Sequence, residues 1–139
     1  MADCFAREQG TEHFAARSPG GRRIRAAFSF EAGRRRLQEL IAKQPDESRY
    51  YSALGIAYAG LGLREEALRA ASRATEIMPP AKDAWRGLWR IEDLALVHTM
   101  LGQQDQAIDR LDFLLSHTGD ISTHILRIDP RWDTLVTNP

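Results

Sequence analysis

The sequence has only one cysteine, Cys4, among its 139 residues. It therefore cannot form an intramolecular disulfide, or any zinc site built from several cysteines. It also lacks an apolar run near the roughly 20 residues that a membrane-spanning helix needs, and its first thirty residues lack the apolar stretch of a signal peptide. We expect a cytoplasmic protein without a membrane partner.

Neither sign of charge is in excess, since 19 lysines and arginines face 19 acidic residues. No overall field then draws the chain to nucleic acid or anionic lipid. Seven arginines from Arg17 to Arg36 stand against one acid, Glu31. Arginines outnumber lysines along the whole chain, so we interpret this cluster as a solvated basic segment and expect no nucleic-acid partner.

Arrangements typical of catalysis or metal binding are also missing. The four histidines contain no pair at the i,i+4 spacing of helical metal ligands. Glu92 and Asp93 are neighbours on a predicted helix and point in different directions, which argues against a paired acid and base. No glycine-rich phosphate loop occurs, and Cys4 has no identifiable base. We expect no enzyme, no catalytic residue, no cofactor and no metal.

Apolar residues recur at helical spacing from about Phe30 onward, and no alternating strand pattern interrupts them. Residues 1–28 show no such period and contain Pro19, Gly20 and Gly21, so we expect a disordered basic leader. A single helix is predicted over residues 29–45. Four more are predicted over residues 46–60, 64–78, 81–102 and 104–117, separated by turns at Gly60 to Gly62, at Pro79 and Pro80, and at Gly102.

The first helical pair carries a spaced set of aromatic, small and turn residues. These are Tyr51, Leu54, Gly55, Tyr58, Gly62, Ala67, Ala74 and Pro79. Their spacing resembles the 34-residue signature of the tetratricopeptide repeat (TPR), a hairpin of helices A and B. Gly55 and Ala67 lie where the two helices of the hairpin cross, because a larger side chain there would separate them. Ala71 departs from the signature, which usually has a large aromatic residue at this place.

The resemblance implies an all-α fold, a short TPR solenoid of antiparallel helical hairpins with about two and a half repeats. Residues 46–81 form the first repeat, and residues 82–118 a degenerate second repeat with Gly102 aligned to Gly62. About six extra residues lengthen the second A helix at its start. Residues 29–45 are a lone B-type helix, and residues 119–139 are a capping segment that folds back over the fourth helix of the two repeats.

The capping segment contains Leu-Arg-Ile-Asp-Pro-Arg-Trp-Asp-Thr-Leu over residues 126–135. It is similar to the end of TPR regions that follow cyclase, kinase or TolB-like domains in bacterial multidomain proteins. This resemblance implies a second possibility for function, a detached C-terminal accessory region of a bacterial signalling enzyme such as a nucleotide cyclase or protein kinase.

The TPR resemblance implies a scaffold or adaptor that binds a peptide or a neighbouring domain through the concave face of its A helices. The residues expected on that face are Arg49, Ser52, Ala53, Ile56, Ala59, Glu92, Asp93, Leu96 and Met100. TPR domains that bind the acidic tails of heat-shock chaperones carry Lys, Asn and Arg at places that hold Ser52, Ile56 and Asp93 here. We expect no binding of such tails.

Two further expectations concern apolar surface. The lone helix over residues 29–45 has no A helix before it, so we expect a homodimer through this helix or its docking onto a parent catalytic domain. Trp85 and Trp89 are one helical turn apart. We favour a packing role for them, covering the flank that Ala71 leaves open, over a partner-binding hot spot.

Overall fold

The computed structural model describes residues 19–136, with side chains from residue 22 onward. Within that range the fold is all-α and repeat-like, as predicted, and no strand is present. The helices are α1 (Pro19–Lys43), α2 (Ser48–Gly60), α3 (Arg64–Ile77), α4 (Ala84–Met100), α5 (Gln104–Leu115), α6 (Thr123–Ile128) and α7 (Asp133–Val136), with a 3-10 turn at Pro130–Trp132 between the last two.

Helix α1 begins ten residues before the predicted start at residue 29. The prediction of a disordered leader is therefore wrong for residues 19–28, while residues 1–18 lie outside the described part of the chain. Pro19 occupies the first helical position, where its fixed φ suits the helix and no N–H is needed, so it starts α1 and does not break it. Farther along, Glu31 pairs with Arg34 and Arg35, and its pKa falls to about 2, chiefly through the hydrogen bond from Arg34.

Helices α2 and α3 form one hairpin and α4 and α5 form another, and the two turns have the same hydrogen bonds. Gly62 and Gly102 both have positive φ, 75° and 72°. The amide after each glycine donates to the carbonyl four residues before that glycine, Leu63 to Tyr58 and Gln103 to His98, each at 2.9 Å. The two glycines aligned from the sequence therefore make equivalent turns.

Small residues let the helices of the first hairpin approach each other. A Cβ added at Gly55 would lie 3.0 Å from the Cβ of Ala71 and 3.1 Å from the carbonyl oxygen of Ala67. Ala67 and Ala71 belong to a buried cluster that Leu94 and Val97 of α4 complete. The space beside Ala71 is thus filled from α4, and the tryptophans take no part in that cluster.

The six extra residues of the second repeat divide between its first helix and the connection before it. Helix α4 has 17 residues where α2 has 13. The other two of the six extra residues lengthen the connection over residues 78–83, which ends at the N-cap Asp83. Within the lengthened part of α4, Gly87 meets this connection so closely that an added Cβ would clash with the backbone of Pro80.

The C-terminal segment folds back on α4 and α5, as predicted. Trp132 is 1% exposed and belongs to a core cluster with Leu88, Ile91, Ala95, Leu111 and Leu114. Ile121, Leu126 and Leu135 pack against the same cluster. Ile125 and Ile128 of the same segment are exposed.

Candidate functional site

Helices α2 and α4 pack side by side, and the expected partner-binding residues lie along these two A-type helices. Arg49 and Met100 are exposed, while Ala53, Ile56 and Leu96 are half-buried. Ile56 packs against the cluster between the hairpins and Leu96 against the cluster under the C-terminal segment. Apolar side chains with a remaining exposed part therefore lie on both helices.

Two residues expected on this surface are not available to a partner. Ser52 is 3% exposed and Ala59 is 7% exposed. Ala59 belongs to the cluster that α4 completes with Leu94 and Val97. Their positions along α2 predict that both residues lie on the concave, partner-binding face, but the neighbouring helix covers them.

An ion pair within α4 lies beside Ser52 of α2. Arg90 of α4 lies 3.3 Å from Asp93. Burial raises the pKa of Asp93, whereas Arg90 and the nearby Ser52 hydroxyl lower it. The Ser52 hydroxyl is close enough to act on Asp93, although its oxygen makes no hydrogen bond of regular geometry. The guanidinium Nε of Arg90 also has no hydrogen-bond partner.

A second charged group joins α4 to the C-terminal segment. Arg131 lies 3.6 Å from Glu92 and donates through Nε to Asp129 at 2.8 Å. Burial raises the pKa of Glu92 although Arg131 opposes this shift, while the hydrogen bond from Arg131 lowers the pKa of Asp129. The sequence predicts Glu92 as a partner-binding residue, but Arg131 of the C-terminal segment already forms an ion pair with it.

These opposite pKa shifts predict opposite effects on stability. A raised carboxyl pKa means that the folded state holds the proton longer, so ionised Glu92 disfavours folding once the pH exceeds its ordinary value. We expect the stability of Glu92→Gln relative to the wild type to increase as the pH rises from about 4 to 7. Urea denaturation across this range measures the difference.

Asp129→Asn serves as the control with the opposite sign. The lowered pKa of Asp129 stabilises the folded state above the ordinary aspartate value, and this contribution is lost as the pH falls through the lowered value. The stability of Asp129→Asn relative to the wild type should therefore decrease as the pH rises from about 2 to 5. If the stabilities of both variants and of the wild type changed equally with pH, the opposite pKa shifts of Glu92 and Asp129 would be contradicted.

Trp85 and Trp89 form an exposed aromatic pair at the start of α4. They are 51% and 40% exposed, and their rings meet edge to face with centroids 6.1 Å apart. The Trp89 indole donates to Asp120 at 3.1 Å. The expectation that they cover the flank of Ala71 is wrong, because Leu94 and Val97 occupy that flank.

Trp89 also lines a cleft of about 430 Å³ at the end of the surface where α2 and α4 begin. The other walls are residues 46–49, Met78, Arg86 and Arg90. Of these residues, sequence reasoning named only Arg49 as a contact. The close approach of Gly87 to the connection before α4 fixes the wall that carries Arg86 and Arg90, and nothing in the repeat signature indicates that approach.

Another cleft, of about 320 Å³, lies on the α2–α3 hairpin. It is lined by Tyr51, Leu54 and Tyr58 of α2 and by Glu66, Arg69, Ala70 and Arg73 of α3. Gln38 of α1 donates to the Tyr58 hydroxyl at 3.1 Å. The aromatic residues of the repeat signature are therefore only half-buried.

Among residues 19–136, no cluster of three or more histidine, cysteine or acidic side chains could hold a metal ion. None of the helices described is long and apolar enough to cross a membrane. No family model, no curated protein and no solved structure matches the chain.

Proposed function

We propose that this protein is a TPR-type interaction module that binds a protein partner through the surface of α2 and α4. The observation that carries the proposal is the repetition of one hairpin geometry, in which Gly62 and Gly102 make equivalent turns. Stacked hairpins of this kind use one side of each A helix for packing and leave the other side for a partner. The single-cysteine composition makes the cytoplasm the proposed location.

The character of the surface supports a protein partner. Ile56 and Leu96 keep part of their apolar side chains exposed, and Met100 is more open. Arg49 adds an exposed charge that is already paired with Glu47 at 3.1 Å. Apolar side chains flanked by paired charges are typical of transient protein interfaces.

Photo-crosslinking in the native cell tests this proposal. A crosslinking amino acid at Arg49 or at Met100 should capture the same protein, because both positions border the α2–α4 surface. The same residue at Arg69, on the α2–α3 cleft, is the matched control. Capture from Arg69 alone would assign binding to the other cleft, and no specific capture from Arg49 or Met100 would refute the proposal.

An accessory region of a bacterial signalling enzyme is a second candidate, and helix α1 favours it. Ile24 and Phe28 of α1 are 74% and 76% exposed, whereas Leu37 and Leu40 of the same helix are half-buried. Exposed apolar side chains on a continuous helix suit docking onto a parent domain or a second copy. Sedimentation of the wild type and of the double variant Ile24→Glu/Phe28→Glu tests whether this helix docks onto a second copy. A wild-type dimer that becomes a monomer in the variant supports self-association.

A further inference from the structure

A small pocket, which we call the tryptophan pocket, lies where the start of α4 meets the chain that follows α5. It is lined by Trp85, Leu88, Trp89 and Glu92 of α4, by Leu114 of α5 and by residues 119–121. Its free volume is about 10 Å³, which is room for one group the size of a water molecule. No residue of α2 lines it, so it differs from the α2–α4 surface.

Two indole rings form the exposed side of the tryptophan pocket. The rings of Trp85 and Trp89 stand at 69° to each other with centroids 6.1 Å apart. The face of an indole attracts a cation that lies within about 6 Å of its centroid. Because both rings keep a large exposed area, the carbon chain that carries such a cation can also lie across them.

The carboxylate of Glu92 has unused hydrogen-bonding capacity at this pocket. Its side chain is only 20% exposed, yet no residue in the described part of the chain donates a hydrogen bond to it. Its ion pair with Arg131 has a distance of 3.6 Å, whereas Arg131 makes its hydrogen bonds to Asp129. The enclosed side-chain atoms that lack a partner within the described range belong to other residues, so the Glu92 oxygens remain open to a ligand.

Asp120 adds a second carboxylate to the pocket. One of its oxygens accepts a hydrogen bond from the Trp89 indole at 3.1 Å, and no described residue donates to the other. Burial raises the pKa of Glu92 and Arg131 lowers it, while Asp120 is among the carboxylates that raise it further. None of the described residues that line the pocket is basic. Two acidic side chains therefore lie beside a pocket that has no basic lining residue of its own.

We propose that the tryptophan pocket binds the ammonium group of a lysine, between Glu92 and Asp120, with the alkyl chain of the lysine across Trp85 and Trp89. The proposal rests on the proposed function, since the lysine belongs to the protein partner. A primary ammonium is compact and has three donors for the two carboxylates. A guanidinium or a trimethylammonium is larger than the free volume.

NMR titrations of the full chain test this assignment. The probes are pentapeptides of glycine and serine, acetylated at the N-terminus and amidated at the C-terminus, with a central lysine, acetyl-lysine, trimethyl-lysine or arginine. We expect the indole N–H resonances of Trp85 and Trp89 to shift with a dissociation constant at least about fivefold lower for the lysine peptide than for the acetyl-lysine peptide. Equal or tighter binding of the trimethyl-lysine or the arginine peptide would overturn the assignment, as would the absence of a shift with lysine.

Variants connect the response to the pocket. Asp120→Asn keeps an acceptor for the Trp89 indole but removes the charge, so the lysine peptide should bind about threefold more weakly. Trp85→Leu should also weaken binding, measured at the Trp89 resonance. Asp109→Asn makes the same charge change at an exposed position of α5, and this matched control should leave binding unchanged. Equal weakening by Asp120→Asn and Asp109→Asn would show a general charge effect and refute the site.

The outcome is separable from that of the proposed function. If the lysine peptide moves neither indole resonance while a partner is still crosslinked from Arg49 and Met100, the ammonium site is refuted and the interaction module stands. If the lysine peptide binds and no partner is crosslinked, the ammonium site stands and the proposed function fails.

Discussion

Replacement of Trp132 by alanine should lower the free energy of unfolding by about 3 to 5 kcal/mol, the usual cost of removing a large aromatic side chain from a core. Trp132 is one of the two largest fully buried side chains described, and it closes the cluster formed by α4 and α5. Its loss leaves a cavity beneath the C-terminal segment. Urea denaturation followed by circular dichroism measures the change without depending on tryptophan fluorescence.

Two control variants separate burial from residue type. Trp85→Ala removes the same side chain from an exposed position and should cost far less. Trp132→Phe keeps most of the apolar volume and removes the indole N–H, which has no hydrogen-bond partner, so it should cost much less than alanine. Equal losses for Trp132→Ala and Trp85→Ala would show that the terminal segment does not cap the core.

Ala71→Phe should destabilise the protein by at least about 3 kcal/mol, at the upper end of the cost of overpacking a core. In the repeat that the chain resembles, a large aromatic residue at this place is usual, so the resemblance alone predicts a neutral or favourable change. The structure predicts the opposite, because Leu94 and Val97 of α4 already occupy the space. Gly55 also approaches Ala71 closely.

Thermal and urea melts of Ala71→Phe should be compared with those of Ala84→Phe. Ala84 is exposed at the first position of α4, so the same substitution there tests helix propensity and solubility without overpacking. A melting temperature of Ala71→Phe above that of the wild type would mean that the volume beside Ala71 is open and that α4 packs differently.

Features of the fold that arise from local chemistry could be predicted from the sequence. The two glycine turns need a left-handed conformation that glycine adopts most readily, so Gly62 and Gly102 locate the hairpins. Asp83, a residue type that favours the N-cap position, is the N-cap of α4 and accepts a hydrogen bond from the Arg86 amide. Such signals depend on residues close together in the chain.

Features that depend on which helix covers which face could not be predicted in the same way. Ser52 and Ala59 have the helical phase of surface residues, but α4 buries them. The exposure of Trp85 and Trp89 follows from four added residues in α4, whose packing the repeat signature does not specify. The sequence does not reveal the start of α1, because proline breaks a helix at most positions but favours the first helical position, which Pro19 occupies.

Helix α1 has a mechanical consequence for anything attached to it. Its 25 residues span about 37 Å as one rigid rod, and the part that carries Ile24 and Phe28 is exposed to solvent. A group fused to the start of this rod is held at a set distance and a set angle about the rod axis. Each residue inserted within α1 turns that group by about 100°, so a seven-residue insertion nearly restores its orientation while two residues reverse it.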